Sequence, residues 1–404
     1  MPHLILFDNE TREELLPLTY TRPVGALRVG ILTIQEKWEK ATGFTTSFLT
    51  QDYLTEKYGM EYGEENIIVN GALLPTPQIL RLISQMDFSE ALLLDGELLA
   101  AKMTAKQIEQ LINDEDFGEL IGQDVKGTEI LKLRGVYDIF EMNQVAIEAD
   151  FEWLTKGRES APLPEGNTLI GPKDRLFIER GATIYASIFN TESGPIYIGK
   201  NSLVMEGSMI RGAFALCENS VLKMGSKIYG ATTLGPGCKA GGEVKNVVMQ
   251  ANSNKGHEGY LGNAVLGEWC NIGADTNCSN LKNTYEEVKI WNYPTGRFKT
   301  TGLQFCGLIM GDHSKTAINT MFNTGTVVGV CVNIFSTGFP RTFVPSFAWG
   351  GAQGYTTYRT DKAFNTIERV ISRRNFTLSV EDRLILLRIF EDTAKYRRWE
   401  KTNK

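Results

Sequence analysis

The chain reads as an α/β domain joined to a long parallel β-helix that ends in a helical tail, and three observations predict this. Aliphatic residues recur every six positions through much of the second half. Glycine is denser there, 29 of the 40 lying beyond residue 155, where helical periodicity disappears. The first 155 residues instead alternate short apolar runs with amphipathic stretches, the signature of an α/β domain. At 404 residues, with 42% hydrophobic and 22% charged content, the composition is globular and the length favours two or three domains.

In chain order, residues 1–155 form the first domain, with strands predicted at 4–7, 67–69 and 91–94 and helices near 31–41, 76–86 and 104–113. A linker follows at 156–167, marked by Gly157, Pro162, Pro164 and Gly166. The β-helix is expected over 168–345. Its aliphatic row runs Ile198, Val204, Ile210, Leu216, Leu222, Ile228 and Leu234, and four residues after each comes Ser202, Ser208, Phe214, Ser220, Ser226, Thr232 or Cys238, small in every case but one. The pattern returns at Leu266, Ile272 and Cys278, and again from Met310 through Thr316, Phe322, Val328 and Ile334. A β-sandwich would alternate with period two between turns; a period of six suits a short strand and a corner, stacked repeatedly. The breaks at about 241–260 and 281–305 read as loops leaving the prism, where sites are built. In the extension 346–404, Ser379 and Asp382 mark the start of a helix that packs on the prism end or on a neighbour.

Charge and cysteine usage exclude several functions. With 42 basic and 48 acidic residues the formal charge is −6, so no nucleic-acid footprint is expected. No stretch approaches the roughly 18 to 20 apolar residues of a membrane helix, and no membrane association is expected. The six cysteines form no CxxC pair and have no partnering histidines, which argues against a zinc site and for reduced core residues in a cytoplasmic protein. A β-helix carbonic anhydrase is excluded because His3, His257 and His313 cannot supply three zinc ligands on one face.

Gly256, His257, Tyr260, Leu261, Gly262, Asn271, Ile272, Gly273, Ala274 and Asn280 follow one another without a gap in the pattern of a known family. Here the chain resembles the bifunctional UDP-N-acetylglucosamine pyrophosphorylase / glucosamine-1-phosphate N-acetyltransferases, in which such a stretch builds the acetyl-transfer site. The resemblance implies a left-handed β-helix, a homotrimer with sites between neighbouring prisms, acetyl-CoA as cosubstrate and a sugar phosphate as acceptor. It implies substrate binding by Lys227, Lys245, Tyr260, Asn271, Asn280 and Arg297, and acetyl-CoA binding by Ala274, Lys315 and Arg341. Lys227 stands where the family has an arginine, and Arg297 is reached only after an insertion of roughly 281–296. Arg373 and Arg374 read as a solvated charge pair. The residues support the chemistry independently: acetylating an amine requires removal of a proton from an ammonium, histidine as a side chain that ordinarily titrates near 6.5 is the natural base, and His257, in a loop, is the candidate.

Near the N-terminus Thr11, Arg12, Leu16, Pro17, Leu18, Thr19 and Pro23 keep the outline of the sugar-nucleotidyltransferase signature, which implies a Rossmann-like fold. Asp8, Asn9 and Glu10 replace its glycines, and Asn70 and Gly71 stand where the family has a metal-binding aspartate. Arg12, Arg22 and Arg28 are candidates for a phosphate-binding cluster, Asp95 for a carboxylate, and UTP or another NTP with Mg²⁺ for the ligands; no metal ligand is assigned. The leading reading is acetyl-CoA-dependent N-acetylation of a hexosamine 1-phosphate with an attached nucleotidyltransferase-like domain. The alternative is a sugar-1-phosphate nucleotidyltransferase whose β-helix serves oligomerisation or regulation.

Overall fold

In the computed structural model, which describes residues 2–114 and 119–403, β1 (His3–Phe7) is buried along its whole length. It runs parallel to both β2 (Thr45–Leu49) and β3 (Glu65–Asn70), burial on both sides accounting for its unbroken apolar run. The sheet continues antiparallel from β3 to β5 (Glu97–Thr104) and from β5 to β4 (Glu90–Leu94), then parallel to β6 (Ile121–Asp124), in the order β2-β1-β3-β5-β4-β6. Helices Ile34–Thr42, Pro77–Gln85 and Ala105–Asp114 match the three expected. The first starts at a complete capping box of Thr33 and Glu36 and stops at Gly43, whose left-handed φ of +73° suits glycine.

The second half is a β-solenoid of about ten turns. Its register pairs each residue with the one three six-residue steps onward: Ile198 with Leu216, Leu216 with Leu234, Val204 with Leu222, Ile210 with Ile228. Every member of that aliphatic row is buried in one core cluster. The small residues between them satisfy the corners. Ser202 donates to the Gly199 carbonyl at 2.6 Å, Ser220 to Gly235 at 2.8 Å and Ser208 to Met205 at 2.9 Å, so a buried hydroxyl meets a carbonyl the ladders leave unpaired.

Two expectations are corrected here. Residues 241–260 do not leave the prism as a loop: Glu243–Ala251 and Tyr260–Glu268 are nine-residue strands paired in register, each running through two faces, with Asn246 and Asn263 at left-handed φ along them. Only the short turn around His257 breaks the pattern. The second interruption does leave it, as the antiparallel hairpin Lys289–Asn292 and Arg297–Thr300. The segment 156–167 is more than a linker, because Ala161 and Leu163 pack against the solenoid core.

The chain folds into two compact units, Met1–Leu15, Thr21–Leu27 and Leu32–Gly135 forming one, and Leu16–Tyr20, Arg28–Ile31 and Val136–Lys404 the other. The first unit thus ends before 155, and helix Asn143–Thr155 belongs to the solenoid unit. Its Ile147 and Phe151 fill a groove that the solenoid leaves by presenting Ala213, Ala215 and Ala231 outward, and Asn143 bridges the Ala231 carbonyl and the Thr233 hydroxyl. At the other end a hairpin, Ala348–Gly351 and Gly354–Thr357, pairs with Asn333–Ile334 and covers that ladder's last strand. Two helices follow, Thr360–Ser372, which the sequence analysis does not predict, and Val380–Asp392, which is capped by Ser379 as expected.

Candidate functional site

Register brings the substrate-binding candidates of the solenoid together. Lys227, Glu243 and Tyr260 stack in one row and Tyr229, Lys245 and Gly262 in another two positions along. Tyr229 donates to Glu243 at 2.5 Å, while the Lys245 ammonium lies 5.8 Å from the Tyr229 ring centroid and 5.3 Å from that of Phe305. Asn280 is buried and donates both to the Tyr260 hydroxyl at 3.0 Å and to Asn263 at 2.8 Å. Gly262 makes this possible, since a Cβ there would collide with the Tyr260 hydroxyl. Lys227 pairs only loosely with Glu258, at 3.7 Å and in solvent, a contact worth little.

His257 is exposed on the turn between the two long strands, and its main chain is what holds it. Lys255, buried, donates to the carbonyls of Gly241 at 2.9 Å and His257 at 2.8 Å, and burial pushes its ammonium down to about 8. Gly242, at φ +71°, passes so close that a Cβ would sit 2.9 Å from the His257 carbonyl oxygen. Sequence reasoning missed Lys255. The signal was available, because it aligns with Ala240 and so occupies a row that is otherwise largely aliphatic.

His257, Asn271, Ala274 and Lys315 line one cavity of about 810 Å³. Asn271 bridges Asn254 and Lys315 through its backbone, and Lys315 donates to the His313 carbonyl at 2.9 Å, its pKa lowered by burial. The expectation for Arg374 is corrected here. It is half-buried on the cavity wall, bonded to Asn252 at 3.0 Å and Asn254 at 2.9 Å, with its guanidinium 5.5 Å from the Trp269 ring centroid. Arg373, exposed, lines the cavity too. Burial, then the charges of Arg374, Lys223 and Arg373, lower the Lys239 pKa, so four cations gather on one wall. Arg297 lies instead on the exposed strand of the hairpin, opposite Asn292, and Arg341 on a different cavity.

In the α/β unit the parallel strand ends converge on Glu97. One of its oxygens accepts from Lys132 at 2.5 Å, from Asn9 at 2.7 Å and from Asn70 at 3.2 Å, and Lys132 also reaches Thr11 at 3.2 Å. Burial pushes the Glu97 carboxyl up, but these donors outweigh it and the pKa is lowered overall. Asp95, the carboxylate singled out from sequence, sits in the β4–β5 turn at φ +50°, exposed and paired with Lys126 at 3.0 Å. The signal for Glu97 was the Asp95-Gly96 pair between apolar runs, a hairpin turn that puts it on a strand. Gly71 packs 3.2 Å from the Phe7 carbonyl and from the Gly25 amide, measured from an ideal Cβ, which leaves little room for a carboxylate there. Of the three arginines, Arg12 donates to Tyr53 at 2.6 Å and Arg22 is buried beside Thr21. Arg28 belongs to the solenoid unit, where it bonds the Gln250 and Ile31 carbonyls.

Residues 4–159 match the family model for sugar nucleotidyl transferases. The bifunctional protein GlmU of Synechococcus elongatus is 27% identical over 211 residues, 50% of this chain and 41% of that protein. The chain resembles GlmU proteins over that stretch. A bifunctional sugar-1-phosphate nucleotidylyltransferase/acetyltransferase of Sulfurisphaera tokodaii is 32% identical over 93 residues, 23% of each chain. This GlmU-like chain therefore spans less than half the length of either relative. Among solved structures, the polySia-specific acetyltransferase NeuO is similar over 52% of this chain and 93% of its own, with 14% identity and a TM-score of 0.26. The matched family and the Sulfurisphaera protein are both named as transferases.

Proposed function

We propose that the solenoid is an acetyl-CoA-dependent N-acetyltransferase acting on a hexosamine 1-phosphate, glucosamine 1-phosphate first, and that it carries a sugar-nucleotidyltransferase-fold domain. The observation that carries this is the single cavity lined by His257, Asn271, Ala274 and Lys315, beside a strand face bearing Lys227, Lys245 and Tyr260. An acetyl thioester would supply an activated acyl group. Lys245 and Lys227 would neutralise the sugar phosphate, and Tyr260, oriented by Asn280, would meet a sugar hydroxyl. His257 would take the proton that the ammonium must lose before the nitrogen attacks. The four cations on the far wall suit the coenzyme's phosphates. A cytoplasmic homotrimer is the assembly this reading takes from the family. The Glu97 cluster does not fit a magnesium held by the protein, since one carboxylate oxygen already accepts from the Lys132 ammonium and from Asn9 and Asn70.

The test combines the full chain with glucosamine 1-phosphate, acetyl-CoA, UTP and magnesium, following free thiol and pyrophosphate separately. Thiol release dependent on the amino sugar is expected. Pyrophosphate without thiol would overturn this reading in favour of a nucleotidyltransferase with a structural solenoid, which the family match over 4–159 supports.

A further inference from the structure

The last coil, the hairpin and the C-terminal segment together line a second cavity of about 560 Å³, away from His257. Its walls are aromatic. Trp291 and Phe343 stack at 4.2 Å with their planes 10° apart, Phe298 and Tyr396 meet Trp291 edge-on at 5.5 and 6.1 Å, and Trp399 lies 5.8 Å from Tyr355. Among the described residues every charged side chain that lines it is cationic: Arg341, Lys395 and Arg398, all exposed. The nearest acid in sequence, Glu400, does not line the cavity and is engaged by Arg397 at 2.7 Å and Thr357 at 2.6 Å. The Trp291 indole N–H is buried without a hydrogen-bond partner. A buried donor left unpaired is costly, and a ligand acceptor would satisfy it.

Two kinds of group thus converge that no single simple ligand needs. Stacked rings suit a planar heteroaromatic ring, while three cations without a carboxylate suit phosphate. Trp291 and Gly296 come from the stretch of chain between the two solenoid blocks, so the hairpin itself builds one wall. We propose that this cavity binds a nucleoside phosphate, with its base against the Trp291 and Trp399 side and its phosphate at Arg341, Lys395 and Arg398. The site stands on this geometry alone, whether or not acetyl transfer is the reaction. Two sources share the chemistry, a free nucleotide and the adenosine bisphosphate end of coenzyme A.

Calorimetry on the full chain with AMP, UMP, adenosine 3′,5′-bisphosphate and adenosine tests it. Because the α/β unit is a second place for nucleotides, the reading is the difference between wild type and variants. Lys395→Ala combined with Arg398→Ala alters only exposed side chains and is expected to weaken the phosphorylated ligands about 10-fold or more while sparing adenosine. Trp291→Leu is expected to remove binding of all of them to this site, and Trp291→Phe, which keeps a ring but loses the indole N–H, to retain it more weakly. Acetyl-CoA displacing AMP, with a raised KM for acetyl-CoA in Trp291→Leu, would support the site with the coenzyme as source; independent binding of both would support it with free nucleotide. Nucleotide binding that is absent in wild type, or unchanged in the double variant, overturns the proposal even if Trp291→Leu fails to fold.

Discussion

The imidazole of His257 is exposed and makes no hydrogen bond among the described residues, so its position is set by main chain alone. As the base, its loss in His257→Ala should lower acetyl transfer by about 100- to 10,000-fold while the denaturation midpoint stays put; near-normal turnover would place the base elsewhere. Lys245→Ala should raise the KM for sugar phosphate far more than that for acetyl-CoA. Lys255 gives a pH signature. Its folded pKa of about 8 lies below the free value of 10.5, so the unfolded chain holds more protons between the two and this residue makes stability rise with pH across that window. Below about pH 8 both states are protonated and its penalty is present in full. The unfolding free energy of wild type relative to Lys255→Met should therefore rise from pH 8 toward 10.5; a difference flat with pH would show the lysine to be unperturbed. His257 was legible because a lone histidine in a polar turn has few structural uses. Glu97 was not, because its partners Asn9, Asn70 and Lys132 come from three distant segments.

Between the residue and the fold stand turns and grooves whose shape the backbone dictates. Gly242→Ala adds a Cβ at a left-handed φ and against the His257 carbonyl. It should cost about 1 kcal/mol or more of stability and lower turnover by displacing the turn, seen as a drop in kcat larger than the change in KM. Ala215→Leu should overpack the groove that seats Ile147 and Phe151, costing about 1 to 3 kcal/mol in a urea melt; an unchanged midpoint would mean that the helix Asn143–Thr155 rides loosely on the solenoid. The period of six was readable because each inward side chain recurs once per strand. The nine-residue strands were not, since a strand continuing around a corner keeps its pairing while losing the small corner residue that marks the repeat.

For the whole molecule, six buried cysteines are the most useful handle. Burial pushes the thiols of Cys238, Cys270, Cys306 and Cys331 up to about 12 and raises that of Cys278 as well. The native protein should therefore react slowly with thiol reagents, and a coenzyme-release assay should run with little protein background; rapid labelling of the native chain would contradict the buried placement. In that assay thiol release should exceed pyrophosphate release by a wide margin, because Asn70 and Gly71 stand where the resembled family has its metal-binding aspartate. Sedimentation should report a trimer, and a monomer active at nanomolar concentration would contradict a shared site.

The amino-acid order by itself determined the architecture and the place of the acetyl-transfer candidate. Both are written locally, in a repeat whose inward residues are spaced by one strand length and in an unbroken run from Gly256 to Asn280. Only the tertiary structure decided what surrounds that run. It bent Arg374 back onto Asn252 and Asn254, 120 residues or more away along the chain, and took Arg28 out of the phosphate-binding candidates to bond Gln250. It also gathered Trp291, Phe343 and Trp399 around a second cavity. The physical reason is that a charged or aromatic side chain carries no periodic constraint of its own. Its partner is whatever the packed core brings within reach, and that is settled by how the coils stack and how the tail closes over them.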